Sequence, residues 1–310
     1  MDGSKYALPD TLEVIEEFGG QDNQFGIKPM ALGSCLYDVY QGLVLDAKIA
    51  HYNSNERDLA FEHLQQSSEN DLILYDRGYS AFWLALAHII FKRDFCMRIR
   101  SNFNKQTIAF EKSSKRDVVI TLNPSAEMIT QAEEKGLSIK PVTVRLLKVK
   151  TTKGEYLLMT SLLNNTLYPR KDFAGLYHMR WQIEEAYKTQ KCRFEVENFS
   201  GESILSIQQD YHACMLNHVL TAISCYYAQS YINQRVSKRK LAYKINFSKA
   251  ISSVKDILVN ALNDCLMEVD MRQSLQTISK NLTPIRAGRS FERIKVRCRR
   301  PMLRRGYRYA

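Results

Sequence analysis

The stretch from Leu72 to Phe91 constrains the fold more than any other part of the chain. Leu72-Ile73-Leu74-Tyr75 is a short apolar run that stops at Asp76-Arg77-Gly78. Four such residues without polar alternation read as a strand buried on both faces, and strands of that kind sit in sheets covered by helices on each side. Ser80 then opens a second apolar stretch, Ala81 to Phe91, with His88 inside it. That stretch is too short to span a bilayer, so it reads as a buried helix. A strand that delivers a carboxylate at its C-terminal end, followed by a helix, is how many α/β proteins build a site. The expected class is α/β, and 310 residues give room for one large domain or two modest ones.

The flanking sequence agrees with that class. Leu32–Val39 and Leu43–Ile49 are apolar segments parted by Gln41-Gly42, a hairpin pattern. Asn53 or Ser54 is expected to cap a helix from Glu56 to about Gln66, with Leu59, Phe61 and Leu64 facing inward. From Asp94 to about Leu163 the texture turns to strands: Phe95–Ile99, Val118–Leu122, Val142–Val149 and Tyr156–Leu162. The turn Thr152-Lys153-Gly154 joins the last two. After Pro169 the chain reads helical, with one helix over Asp172 to about Arg193 and another over Ser203 to Ile232.

Charge is concentrated. Arg286 to Ala310 holds ten Lys and Arg residues against the single acid Glu292, which accounts for most of the formal net charge of +11. A basic arm of this density reads as a polyanion contact, nucleic acid before membrane, because no amphipathic anchor accompanies it. A solvated tail is the plainer alternative. The seven cysteines are odd in number and form no C-x-x-C pair, which fits reduced structural thiols and argues against a disulfide framework or a zinc site.

The helix expected from Asp172 carries Tyr177, Arg180, Glu184 and Lys191. At about 100° per residue these four fall within an arc of about 60°, beside the apolar stripe of Leu176, Met179, Ile183, Tyr187 and Phe194. A solvated charged face normally lies opposite such a stripe. Here an acid and two bases line its edge, where the helix meets the rest of the protein. An ordinary amphipathic helix with an Arg180–Glu184 ion pair gives the same spacing.

These residues resemble a known family. Tyr177, Arg180, Glu184 and Lys191 look like the Y-R-E-K signature of the DDE transposases of bacterial insertion sequences, in the fourth such family. Asp76-Arg77-Gly78-Tyr79 resembles the segment around that family's second catalytic aspartate. Asp2-Gly3-Ser4 with Leu8-Pro9-Asp10 resembles the segment around the first. The order of two aspartates, a β-rich insertion and a helical glutamate is also similar, and the likeness runs from residue 2 to about residue 230.

The resemblance implies a ribonuclease H-like catalytic core with a β-rich insertion and a helical C-terminal part. Its divisions would be core 1–93, insertion 94–163, resumed core 164–270 and basic arm 271–310. It implies a catalytic and metal-binding triad, Asp2, Asp76 and Glu184, that holds two divalent ions, Mg²⁺ or Mn²⁺. Tyr177, Arg180 and Lys191 would contact DNA phosphates. The residue types suit these roles: hard cations prefer carboxylate oxygens, and Arg and Lys offer forked and point-charge contacts to phosphate. The implied activity is metal-dependent DNA strand cleavage and strand transfer in transposition. It would act on double-stranded DNA, at transposon ends and target, in the cytoplasm at the nucleoid and away from membranes. Partners implied are a second copy or a full-length transposase.

Two features depart from the pattern. Some relatives stack an insertion tryptophan on a flipped base, but Trp83 and Trp181 both lie outside 94–163, which leaves Tyr156, Phe103 or Phe110 as substitutes. In the family the first aspartate ends a central strand, and here Met1 directly precedes Asp2. The first core strand is therefore expected to be missing, Asp2 to fray, and the chain to be an N-terminally truncated, weakly active or inactive transposase. Two alternatives stay open: a non-catalytic DNA-binding or inhibitory remnant acting through dimerisation, and a stand-alone metal-dependent nuclease. His88, His212 and His218 read as structural rather than as ligands.

Overall fold

The structure, a computed structural model, describes residues 1–151, 154–236, 241–263 and 268–286. Its first half runs β1 (Asp2–Ala7), α1 (Leu12–Phe18), β2 (Gly20–Asn23), β3 (Gly26–Asp38), β4 (Leu43–His51), α2 (Glu56–Gln66), β5 (Leu72–Tyr75) and α3 (Phe82–Phe91). Then come β6 (Asp94–Arg98), α4 (Lys105–Lys112), β7 (Asp117–Leu122), α5 (Ala126–Glu134), β8 (Val142–Thr151) and β9 (Gly154–Thr160). The remainder is α6 (Phe173–His178), α7 (Trp181–Cys192), α8 (Ile204–Val236), β10 (Tyr243–Ile245), α9 (Phe247–Leu262), α10 (Glu268–Lys280) and β11 (Leu282–Pro284). The Thr152-Lys153 turn and the basic arm beyond Arg286 lie outside the described residues. The chain forms two compact units, one of Met1–Lys5, Leu32–Val39 and Asn53–Glu185, the other of Tyr6–Ala31, Tyr40–Tyr52 and the chain from Ala186 onward.

The first unit is organised by a five-stranded mixed sheet in the order β5-β6-β9-β8-β7. Only β5 and β6 are parallel, joined through α3, and the other pairs are antiparallel. Strand alternation sorts the side chains into two cores. Ile73 and Tyr75 of β5, Phe95 and Met97 of β6, and Val142, Val144 and Leu146 of β8 join the core filled by α3. Leu74, Cys96, Leu147, Val149 and Leu158 point the other way, where Phe173 and Tyr177 of α6 cover them. Both faces of β5 are thus buried, as its unbroken apolar run requires. Phe82 to His88 of α3 are all buried, in keeping with a helix apolar on every side. His88 is satisfied inside this core by the Tyr75 hydroxyl (3.0 Å) and the Arg93 carbonyl (3.2 Å), and burial lowers its pKa to about 3, so it stays neutral.

Several expectations change. The helix over 56–66 has the expected bounds, but its cap is Asn55, whose side chain accepts from the Arg57 N–H. The strand-rich segment 94–163 also contains α4 and α5, each begun by a side-chain cap, Asn104 and Ser125. The helix expected over 172–193 is broken at Met179–Arg180, where tight i to i−3 bonds run from Arg180 N–H to Tyr177 and from Ile183 N–H to Arg180. Where the first core strand was expected to be missing, a strand is present: Asp2 opens β1, which runs on through Gly3 to Ala7.

In the second unit, β2 pairs antiparallel with the start of β3, and α1 is capped by Thr11 and contributes Val14 and Phe18 to a small core with Leu8, Ala31 and Ile207. The long α8 packs with α9 and α10 around Ala228, Ile232, Val254 and Ile278, and β10 pairs with β11.

The largest fully buried side chain is Arg145 on β8. It forks onto Asp117 of β7 (2.7 and 2.5 Å) and donates to the Leu162 and Tyr168 carbonyls (3.3 and 2.7 Å). A buried guanidinium stripped of its carboxylate is costly. Asp117→Asn should destabilise the protein by about 3 kcal/mol, read as a lowered urea midpoint. An unchanged midpoint would show that the two carbonyls alone satisfy Arg145.

Candidate active site

The first unit gathers five of the six residues singled out from the sequence: Asp2, Asp76, Tyr177, Arg180 and Glu184. β1 reaches β5 through the Met1 nitrogen, which donates to the Leu74 carbonyl (2.9 Å). Asp2 therefore starts its strand beside the strand that ends in Asp76. The expected fraying of Asp2 is not seen. Its carbonyl accepts from Ser34 Oγ (3.5 Å), one carboxylate oxygen takes the Gly3 N–H (3.0 Å), and the other takes Arg180 Nη1 (3.3 Å).

Asp76 is fixed by a turn. Its carboxylate accepts from the Gly78 N–H (2.6 Å) and caps the short helical turn Arg77–Tyr79. A Cβ at position 78 would sit 3.0 Å from that carboxylate oxygen, which is why glycine suits the D-R-G-Y segment. Arg57 of α2 ties down the same turn by donating to the Gly78 carbonyl (2.8 Å).

Tyr177 anchors α6 on the sheet, and the tightened turn after it presents Arg180 to the acids. Arg180 Nη2 binds Glu184 Oε1 at 2.5 Å while Nη1 holds Asp2, so one guanidinium bridges two of the three triad carboxylates. Burial works to lower the Arg180 pKa, but the Glu184 hydrogen bond and the charges of Asp2 and Glu184 outweigh it and raise the pKa. Burial lifts Asp2 to about 6 despite Arg180, the Met1 amine and the Gly3 N–H, and the charge of Asp76 adds to the rise. Tyr177 is pushed up to about 12 by burial. Its ring meets Tyr156 edge-on (6.0 Å), and Arg98 lies 3.9 Å over the Tyr156 ring. Arg77, Arg98, Arg100 and Tyr156 line one pocket of about 420 Å³. Phe110 is buried and Phe103 packs on the core, so of the three substitutes Tyr156 alone lines a pocket described here.

Lys191, the sixth residue, belongs to the second unit, where it lies 3.7 Å from Glu197 and 4.8 Å from the centre of the Tyr6 ring. Among the described residues, no three His, Cys, Asp or Glu side chains close into a metal-ligand cluster. The arrangement explains this, because a guanidinium stands between Asp2 and Glu184. The donor set nonetheless suits hard divalent cations: three carboxylates in one unit, with Asp2 raised by burial and by Asp76. Sequence reasoning missed Glu56 and treated Tyr79 only as part of a motif. The charges of Glu56, Asp2 and Asp76 all act on Tyr79, and no spacing rule connects Glu56 to the signature.

The comparisons with known proteins agree with one another. The family described as "Transposase DDE domain" matches residues 19–220. The chain is 30% identical over 199 residues to "Transposase InsG for insertion sequence element IS4" of Escherichia coli (strain K12), covering 61% of this chain and 42% of the relative. It is 27% identical over 157 residues to "Putative transposase y4zB" of Sinorhizobium fredii (strain NBRC 101917 / NGR234), covering 49% and 42%. The chain thus spans about two fifths of the length of these curated relatives. No helix among the described residues is long and apolar enough to cross a membrane.

The Asp2 shift carries a sign. A carboxyl whose folded pKa lies above its unfolded value of 3.8 binds protons more tightly in the native state, so stability falls as pH rises from about 4 to about 6. Asp2→Asn should remove that decline and leave the metal-free protein more stable at pH 7.5, by on the order of 2 kcal/mol. Melting curves at pH 4.5 and 7.5 check it, and a variant with an undiminished pH dependence contradicts it.

Proposed function

The chain belongs to the DDE transposase family of insertion sequences, and on that footing we propose that it cleaves and joins DNA strands at the Asp2, Asp76 and Glu184 carboxylates. The observation that carries this reading is the fork of Arg180 on Asp2 and Glu184, in the unit where Asp76 acts electrostatically on Asp2. The core is read as ribonuclease H-like, with Asp2 at the start of β1, Asp76 just after β5 and Glu184 on a helix. Divalent cations, Mg²⁺ or Mn²⁺, when bound, would activate the attacking oxygen and stabilise the departing one. The three carboxylates would hold them. Arg180 would give up its carboxylates and turn to phosphate, for which a planar fork is well suited. Tyr177 would add a hydroxyl and Lys191 a point charge. Arg98 and Tyr156 would take the strand beyond the scissile bond by cation and ring contact. The basic residues from Arg286 onward would add sequence-independent phosphate contacts, so binding should weaken steeply with salt.

A non-catalytic DNA-binding remnant is the second reading, favoured by Arg180 occupying two of the carboxylates and by the lack of a closed metal-ligand cluster among the described residues. Nicking of duplex DNA carrying the element's ends separates the two. In Mn²⁺ the wild-type chain should nick, while Asp76→Asn and Glu184→Gln should each be slower by at least about a hundredfold with DNA affinity retained. Binding without nicking by wild type would support the remnant, and equal nicking by the variants would contradict the site.

A further inference from the structure

Resting on the site reading above, we propose that Glu56 is a fourth carboxylate of the cation site and that Tyr79 is its positioning residue. Glu56 opens α2 and lies against the strand that carries Asp2: a Cβ at Gly3 would sit 2.9 Å from Glu56 Oε1. Only glycine at position 3 leaves that carboxylate its place without a push. From the other side the charge of Asp76 acts on Glu56, and Lys5 partly offsets it, while burial is the largest influence on its raised pKa. Glu56 therefore stands between the bearers of the two aspartates.

Tyr79 supplies the independent observation. It is wholly buried, its ring tilted by 40° against that of Tyr75 (5.2 Å between ring centres), and its hydroxyl meets no acceptor at hydrogen-bonding geometry. A buried hydroxyl in that state is unfavourable, and native proteins seldom keep one without use. The charges felt by this hydroxyl come from Glu56 first, then Asp2 and Asp76, and it is near enough to Glu56 to favour that group's ionised form. A small rotation of the Glu56 carboxylate would complete the bond. With a divalent cation bound, Glu56 would be a ligand, and Tyr79 would hold one of its oxygens and leave the other for the ion. Hydrogen-bonded partners of this kind orient metal ligands and set their affinity.

The test is Mn²⁺ titration of the full chain by calorimetry, together with melting temperatures with and without Mn²⁺. Asp76→Asn is the control for the site itself and should abolish binding. Glu56→Gln should weaken Mn²⁺ affinity about tenfold, and Glu56→Asp should recover part of it. Tyr79→Phe should melt at a higher temperature than wild type without metal, because a hydroxyl lacking a partner is gone, yet gain less on adding Mn²⁺. Wild-type affinity in both Glu56→Gln and Tyr79→Phe, with binding lost in Asp76→Asn, overturns this inference and leaves the triad standing. Unchanged affinity in Asp76→Asn removes the triad reading first and this one with it. A Tyr79→Phe protein that melts lower and responds to Mn²⁺ as wild type does makes Tyr79 a packing residue only.

Discussion

One guanidinium sets the electrostatics of the acids gathered in the first unit. Arg180 binds Asp2 at 3.3 Å and Glu184 at 2.5 Å, and both carboxylates come from segments 178 and 4 residues away in sequence. Burial, with a smaller push from the charge of Asp76, holds the Asp2 pKa above its ordinary value. The arginine compensates both carboxylates with a charge that cannot titrate away near neutrality. In the proposed site this fork would also act as a brake, because cations and guanidinium would compete for the same oxygens. Loading it would mean exchanging one positive partner for another.

That exchange is workable only because the bearers of the groups are fixed independently of it. β5 is buried on both faces, against α3 through Ile73 and Tyr75 and against α6 through Leu74. The Met1 nitrogen on the Leu74 carbonyl sets Asp2 beside Asp76 without using either carboxylate. Arg57 and Gly78 fix the turn that follows. Tyr177 pins α6 to the sheet, and the tight turn at Met179–Arg180 converts that anchorage into a direction for the guanidinium. The Arg145–Asp117 fork holds β8 to β7 at the far side of the sheet.

Much of this was legible in the sequence, for identifiable reasons. The run Leu72–Tyr75 announced a two-faced strand because nothing polar interrupts it, and the i,i+4 spacing of Arg180 and Glu184 announced the ion pair between them. The break at Met179–Arg180 was not legible, since every residue there has ordinary helix propensity and tertiary packing decides the matter. The strand at Asp2 was not legible, because the resemblance ends a strand at that aspartate, whereas here β1 starts at it and pairs with β3. The proposed role of Glu56 was not legible, because an acid that opens a helix has a sufficient local explanation. Lys191 shared the signature's arc on an idealised helix, yet its own contacts are with Tyr6 and Glu197.

The central claim is that Asp2, Asp76 and Glu184 surround a cation site that Arg180 guards. Anomalous diffraction from crystals grown with Mn²⁺ addresses it directly. The account predicts manganese within about 2.5 Å of carboxylate oxygens of Asp2 and Asp76, with Arg180 turned away from Asp2. Manganese bound elsewhere, or Arg180 still bridging Asp2 and Glu184 at saturating Mn²⁺, would contradict it.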